Sequence, residues 1–408
     1  MQLTDIIFII ILLCLSYFTF FHLILWFESG GKLRKKQLND RHLPNVSVIV
    51  PAYNEEKIIG QSLEKLLSID YPKNKFEVIV VDDGSTDKTY EIAKKYESGN
   101  VRVIRKRNTG KASSLNFGIK RAKYEFVAVM DADSFLDKNA LRQCMGYFDG
   151  KDVAAVTAHI LVKRRKTLWE RLQHAEFMII SVMRKAQEQV NVITATPGPL
   201  SVYRKDILVK LGGFDAKNLI EDVEITWRLL KHGYKVRMAF DAMVYSLYPD
   251  TLKFWWKQRK RWVIGGVQTI LKYFGTIFDG KSHGVGNWIV PTSIFGYFIS
   301  LLGTSIFGYI IFTKLFNYAL FLLKAFSFGV NPFAHFELIY NVDLLFIYGF
   351  IMFLLALFVI RLSAVVHKDI PNIFILALFI TLYPTLLTLN LLVSLYKFGR
   401  MERGWLTK

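Results

Sequence analysis

About 22 almost wholly apolar residues, Ile6 to Phe27, stand near the start of this chain, and three more apolar runs close it. At 1.5 Å per residue the first run reaches roughly 33 Å as a helix, enough for the ~30 Å hydrocarbon core of a bilayer. The closing runs lie near Trp288–Phe312, Val342–Val366 and Ile373–Tyr396. In lipid every backbone polar group must find its partner internally, so such segments are read as spanning helices, with a polar stretch folding in water between them. Ile6–Phe27 is too long for a signal-peptide core and lacks a small-residue cleavage site, which predicts an uncleaved anchor. A shorter apolar stretch, Leu315–Phe328, is left open as a fourth C-terminal span or a re-entrant piece. A fourth span would return the basic tail to the side of the polar domain, as the positive-inside rule favours. The expected segments are an anchor at 1–30, a water-soluble domain at 45–250, interfacial helices at 251–284, three or four spans within 285–397 and a basic tail at 398–408.

The 408 residues carry a net charge of +19. The cations gather beside the apolar runs: Lys32, Arg34, Lys35 and Lys36 after the first, Lys397, Arg400 and Arg403 after the last. That placement points to anionic headgroups rather than nucleic acid, and to a plasma-membrane protein with its polar domain in the cytoplasm. Cys14 and Cys144 offer no disulfide framework, and the eight histidines show no paired zinc spacing.

From Asn45 to about Pro249 strand and helix signals alternate. Val46–Val50, Glu77–Val81, Asn100–Ile104 and Glu125–Met130 read as buried strands, with helices near 55–67, 86–96 and 111–123 between them. Continuous apolar strands joined by helices predict a mostly parallel, Rossmann-like α/β sheet covered on both faces. Ligands bind beyond the carboxyl ends of such strands, where Pro51, Asp83 and Asp131 stand.

The polar residues at those ends carry the chemistry. In Pro51-Ala52-Tyr53-Asn54-Glu55 the tyrosine suits stacking on a base, and Asn54 or Glu55 capping of the next helix. In Asp82-Asp83-Gly84-Ser85-Thr86-Asp87 one acidic side chain suits the N3 hydrogen of uracil, and Gly110-Lys111 at a helix start suits phosphate oxygens. No P-loop is present. Asp131-Ala132-Asp133 offers carboxylates of the kind Mg²⁺ or Mn²⁺ prefers. Glu221-Asp222 opens a helix, and Asp222 is the candidate general base. Gln258, Arg261 and Trp262 share a helical face in a segment rich in aromatics and cations, suited to diphosphate and a sugar ring. The rest of that segment, with Trp255 and Trp256, suits anchoring in the headgroup layer.

Together these motifs resemble the membrane-bound inverting family 2 glycosyltransferases, among them the poly-N-acetylglucosamine, hyaluronan, cellulose and chitin synthases. The resemblance covers Val46 to about Gln268, with Tyr383-Pro384-Thr385 in the last span similar as well. It implies a glycosyltransferase A-type domain embedded between spans. It further implies that Tyr53 and Asp83 hold uridine, Asp131 the ribose or diphosphate side, and Asp133 the metal. Asp222 becomes the base, while Gln258, Arg261 and Trp262 bind diphosphate and acceptor, with Glu221 beside them. The implied cofactor is Mg²⁺ or Mn²⁺. The implied partners are a UDP-sugar donor, a growing glycan or lipid-linked acceptor, membrane lipids and a small membrane subunit. The departures are Ile220 for the family's threonine before Glu-Asp, Pro197-Gly198 for its Ser-Gly, and one N-terminal span rather than two. The expected activity is processive transfer of N-acetylglucosamine from UDP-GlcNAc. Single transfer to a lipid acceptor, or a non-catalytic nucleotide-sensing subunit, are the rivals.

Overall fold

The computed structural model describes residues 3–29, 38–331 and 344–400. The basic cluster Lys32–Lys36 and tail residue Arg403 lie outside them.

The helix α1 (Leu3–Glu28) leads into the soluble domain. In that domain β1 (Val46–Ala52), α2 (Ile59–Leu67), β2 (Phe76–Asp82), α3 (Thr89–Lys94), β3 (Val101–Arg105), α4 (Lys111–Ile119) and β4 (Phe126–Val129) alternate as expected. Every residue of β1, β2 and β4 is buried, which is why these strands read as unbroken apolar runs rather than alternating ones. Next come β5 (Ser134–Leu136), α5 (Ala140–Met145), β6 (Val153–Val162), α6 (Leu168–Gln187), β7 (Ser201–Arg204), α7 (Lys205–Lys210), α8 (Glu221–Lys231) and β8 (Lys235–Ser246).

The eight strands form one sheet in the order β3-β2-β1-β4-β7-β6-β8-β5. β3, β2, β1 and β4 are mutually parallel, but β7 runs antiparallel to both β4 and β6, and β5 antiparallel to β8. The sheet is therefore mixed but mostly parallel as expected, with four parallel pairings against three antiparallel ones. The order 3-2-1-4 places the switch point between β1 and β4, so the turn after β1 and the acids after β4 meet at one crevice.

The membrane-length elements follow. α9 (Leu252–Tyr273) packs on α12 (Ile373–Arg400), and between them in sequence lie α10 (Val290–Ser327) and α11 (Leu344–His367). Four helices among the described residues are long and apolar enough to cross a bilayer. Leu315–Ser327 is the second half of the 38-residue α10, not a separate span or re-entrant piece. Three C-terminal helices, not four, are thus described. Neither proline nor glycine interrupts α10 there, so its hydrogen-bond ladder simply continues.

The interfacial assignment of Trp255 is also overturned. Its ring is fully buried, with Nε1 donating to the Tyr383 hydroxyl at 3.0 Å. Arg259 is likewise buried, clasped by both oxygens of Glu176 from α6. A tryptophan beside cations fits a headgroup layer and a helix–helix seam equally well in sequence; the α12 partner decides.

Candidate active site

A cavity of about 780 Å³ opens at the carboxyl end of β4 and runs to the membrane-length helices. Lys111, Asp131, Asp133, Glu221, Asp222, Gln258, Arg261 and Trp262 all line it, although they come from four separate parts of the chain.

Each arrives for a local reason. Lys111 opens α4 after Gly110, whose φ of +95° is the left-handed conformation that glycine adopts without cost. Asp83 holds that loop, accepting from the Thr109 and Gly110 amides at 3.1 and 2.8 Å and pairing with Lys106. The Lys111 ammonium then bridges two acids, at 2.6 Å from Asp131 and 3.2 Å from Glu221. Gly198 makes this approach possible: its carbonyl accepts from the Asp131 amide at 3.0 Å, and a Cβ there would sit 2.5 Å from Asp131 Oδ2 and 2.6 Å from Lys111 Nζ.

Asp222 occupies the first turn of α8, where acids complement the helix dipole. Its backbone carbonyl accepts from Thr226 at 2.6 Å and Thr196 at 3.3 Å, tying the 196–200 loop to the helix. The segment before it is bolted to α9. Arg261 donates to the Leu219 carbonyl at 3.1 Å, Leu219 donates to Gln268 at 3.1 Å, and Asn218 donates to Thr269 at 2.9 Å. Gly265 on α9 lets Ile220 pack directly on the helix. The helix carrying Gln258, Arg261 and Trp262 therefore positions the Asp222 turn as well as lining the cavity.

The electrostatics are those of an under-neutralised acid cluster. Burial raises the Asp133 pKa to about 6, Asp131 adding to the rise while Lys111 and a 3.3 Å hydrogen bond from Ser246 oppose it. Asp222 is likewise raised to about 6 by burial and by Glu221, against Lys111 and Arg261. Glu55 rises to about 7, first through burial and then through Asp133 and Asp131. Burial works against the Lys111 ammonium, but Asp131, Glu221 and Asp222 overcome it and hold its pKa above the usual lysine value. Mutual repulsion among Asp131, Asp133 and Glu55 is what a divalent cation would relieve. Asp131 Oδ1 is buried without a hydrogen bond of good geometry, although it touches the Lys111 ammonium. No group of three metal-ligating side chains gathers among the described residues. A cation here would use one or two carboxylates and take its other ligands from phosphates and water, as Mg²⁺ commonly does. The residues fit that use.

Four expected residues stand beside the cavity rather than in its wall. Pro51 is buried within β1, in register with Val81. Tyr53 sits 46% exposed at the turn after it. The Glu55 carbonyl accepts from Ile58 and Ile59 at 3.0 Å, starting α2. Asp83 already engages both oxygens with the 106–110 loop. The turn after β1 is zipped to the turn after β2, Asn54 taking the Thr86 amide at 2.9 Å and donating its own to Ser85 at 3.0 Å.

Three lining groups carried no sequence signal. Phe177, Arg184 and Tyr248 come from α6 and from the turn after β8. The Thr167/Glu170 capping box that starts α6 was available, with Thr167 and Glu170 each accepting the other's amide, but it announces a helix, not a wall.

A sheet of this order, with the acids after β4 and at the start of α8 around one cleft, has the architecture of a glycosyltransferase of the A type. The family described as Glycosyltransferase like family 2 matches residues 44–265, and the chain belongs to it. It is 34% identical over 252 residues to the probable glycosyltransferase YdaM of Bacillus subtilis, the match covering 60% of each chain. It is 30% identical over 253 residues to the poly-beta-1,6-N-acetyl-D-glucosamine synthase of Staphylococcus aureus, covering 61% of each. The chain thus matches under two thirds of the length of these relatives. Among solved structures, the mannosyltransferase PcManGT of Pyrobaculum calidifontis, in complex with GDP-Man and Mn²⁺, shares the fold. Its TM-score is 0.60 at 21% identity, over 89% of this chain and 98% of that one.

Proposed function

We propose that this glycosyltransferase is processive and inverting, building a β-linked polysaccharide from a UDP-hexose, UDP-N-acetylglucosamine first among them. The observation that carries the reading is the continuity of the cavity. It begins at Asp131, Asp133 and Asp222 and continues to Gly296, Tyr297 and Ser300 of α10 and Leu387 and Leu391 of α12, a path for a growing chain toward the bilayer. The name of the Staphylococcus aureus relative supports the choice of sugar and product.

In this reading Tyr53 and Asp83 take the nucleoside, and Asp131 and Asp133 face the diphosphate. A Mg²⁺ or Mn²⁺ held by Asp133 and Asp131 would supply charge neutralisation for the departing UDP. Asp222 removes the proton of the acceptor hydroxyl, whose oxygen bonds to the anomeric carbon from the face opposite the breaking bond to UDP. Arg261 and Lys111 stabilise the leaving diphosphate, Gln258 lies beside it, and Trp262 offers a face to the acceptor sugar. The catalytic domain faces the cytoplasm, membrane lipids surround the four long helices, and a small membrane subunit assists export.

The test is a panel of UDP-sugars supplied to the full chain in membranes with Mg²⁺ or Mn²⁺, reading UDP release and product length. Long products from UDP-GlcNAc are expected. One sugar per acceptor would replace the polymerase with single transfer, and no UDP release from any donor would leave a nucleotide-sensing subunit.

A further inference from the structure

Arg184 is the unusual residue of the cavity. It lies in the last turn of α6, where a cation normally reaches for water and complements the helix dipole. Its neighbour Lys185 is fully employed, bonded to Glu188 at 2.8 Å and to the Met238 carbonyl at 3.0 Å. Arg184 instead turns into the cavity, 8% exposed, and its guanidinium has no hydrogen-bond or ion-pair partner among the described residues. Burial lowers its pKa to about 10, with Tyr248 and Asp222 opposing the drop, so it stays charged at neutral pH. Its donors face the cavity, open to whatever ligand enters it.

Its surroundings say what kind of ligand. Phe177, Ile180 and Arg184, three and four residues apart, put one stripe of α6 on the cavity wall. The Tyr248 ring lies against Phe177 with centroids 4.3 Å apart, and its hydroxyl also has no partner among the described residues. Aromatic faces beside free donors match a sugar, which has apolar C–H faces and hydroxyls around its rim. The wall also leaves little positive charge for a second anion, because in the proposed function the divalent cation, Lys111 and Arg261 are engaged by the donor's diphosphate. Four acids (Asp131, Asp133, Glu221, Asp222) already face three cations (Lys111, Arg184, Arg261) before the donor's diphosphate arrives.

We propose that Arg184 and Tyr248 bind the oxygens of a neutral acceptor sugar and hold its hydroxyl beside Asp222. The inference rests on Asp222 being the base, and it names the acceptor as an uncharged glycan end rather than a lipid phosphate. Arg184 and Tyr248 are specificity residues for the acceptor, distinct from the groups that hold the donor.

The experiment uses the full chain in detergent or nanodiscs, with Arg184→Lys, Arg184→Gln and Tyr248→Phe, in two readings. Equilibrium titration with short β-linked N-acetylglucosamine oligosaccharides gives acceptor affinity without turnover. Kinetics with UDP-GlcNAc give separate KM values for donor, oligosaccharide and polyprenyl phosphate. Removing a charged hydrogen-bonding partner should weaken oligosaccharide binding about 10- to 100-fold in Arg184→Gln and less in Tyr248→Phe. Arg184→Lys should recover part of the loss, and oligosaccharide KM should rise far more than donor KM. Unchanged oligosaccharide affinity in Arg184→Gln overturns the proposal, as does a rise confined to polyprenyl phosphate or an equal rise in donor KM. A native chain that binds oligosaccharide through Arg184 but releases no UDP from UDP-GlcNAc would sink the donor reading and leave this one standing.

Discussion

Two clusters of buried charge sit in this molecule, and they are built on opposite principles. Around Glu176, Arg259 and Tyr383 the two charges are paired, with only Arg259 Nε left without a hydrogen bond. Arg259 meets both Glu176 oxygens, Tyr383 donates to Glu176 at 2.8 Å and accepts from Trp255, and the guanidinium lies 4.3 Å from the Trp262 ring centroid. Around Asp131, Asp133, Glu221 and Asp222 the carboxylates outnumber the lysine that bridges them, and burial and mutual repulsion raise two of their pKa values. A paired network ties α6, α9 and α12 together; an under-neutralised one is what the proposed function would answer with a cation and a diphosphate. The state of pairing, more than the amount of charge, separates scaffold from working site.

The largest effect should come from Asp222→Asn. Loss of a general base costs about 10² to 10⁴ in kcat, read as UDP release. The melting temperature should hold or rise slightly, since ionising a carboxylate whose folded pKa is raised opposes folding at neutral pH. A Tm loss with full activity would erase the contrast between the clusters. Arg259→Ala should do the reverse. Stranding Glu176 in a buried seam costs about 3–5 kcal/mol of stability, measured by thermal or denaturant unfolding, and a stable variant would show that the network is not scaffold.

Gly198→Ala comes next. The added methyl must displace the ends of Asp131 and Lys111, both movable, so the fold should survive while activity falls about tenfold through misplacement of the pair. Steady-state kinetics beside a melting curve check this. The smallest effect is the pH profile. With Asp222 raised to about 6, its carboxylate takes up a proton as pH falls through that value and can no longer accept one. The rate should therefore drop below about pH 6 and be flat above it, and a drop only near pH 4 would mean the base is not buried as described.

Much of the half that carries the cavity is legible in the sequence. β1, β2 and β4, buried on both faces, advertise themselves as apolar runs, and the residues at their ends inherit the crevice by topology. Asp131 and Asp133 were reachable that way, whereas Asp222 and Arg261 came from a helix start and a helical face. Arg184 and Tyr248 were reachable by neither route, because a last-turn arginine and a turn tyrosine look the same whether they face water or a cavity. The antiparallel pairing of β7 escaped for a related reason. Strand direction depends on where the chain returns, which the four residues Ser201–Arg204 do not record.

Local chemistry alone thus determined the membrane-length helices, the parallel strands with their acidic ends, and the metal-preferring carboxylates, since each depends on neighbours within a few residues. Only the tertiary structure decided that Trp255 and Arg259 face α12 rather than headgroups, that α10 is one helix, and that α6 lends a wall to the cavity. Those outcomes depend on contacts between residues up to about two hundred positions apart, and such contacts are set by packing, which sequence spacing does not encode.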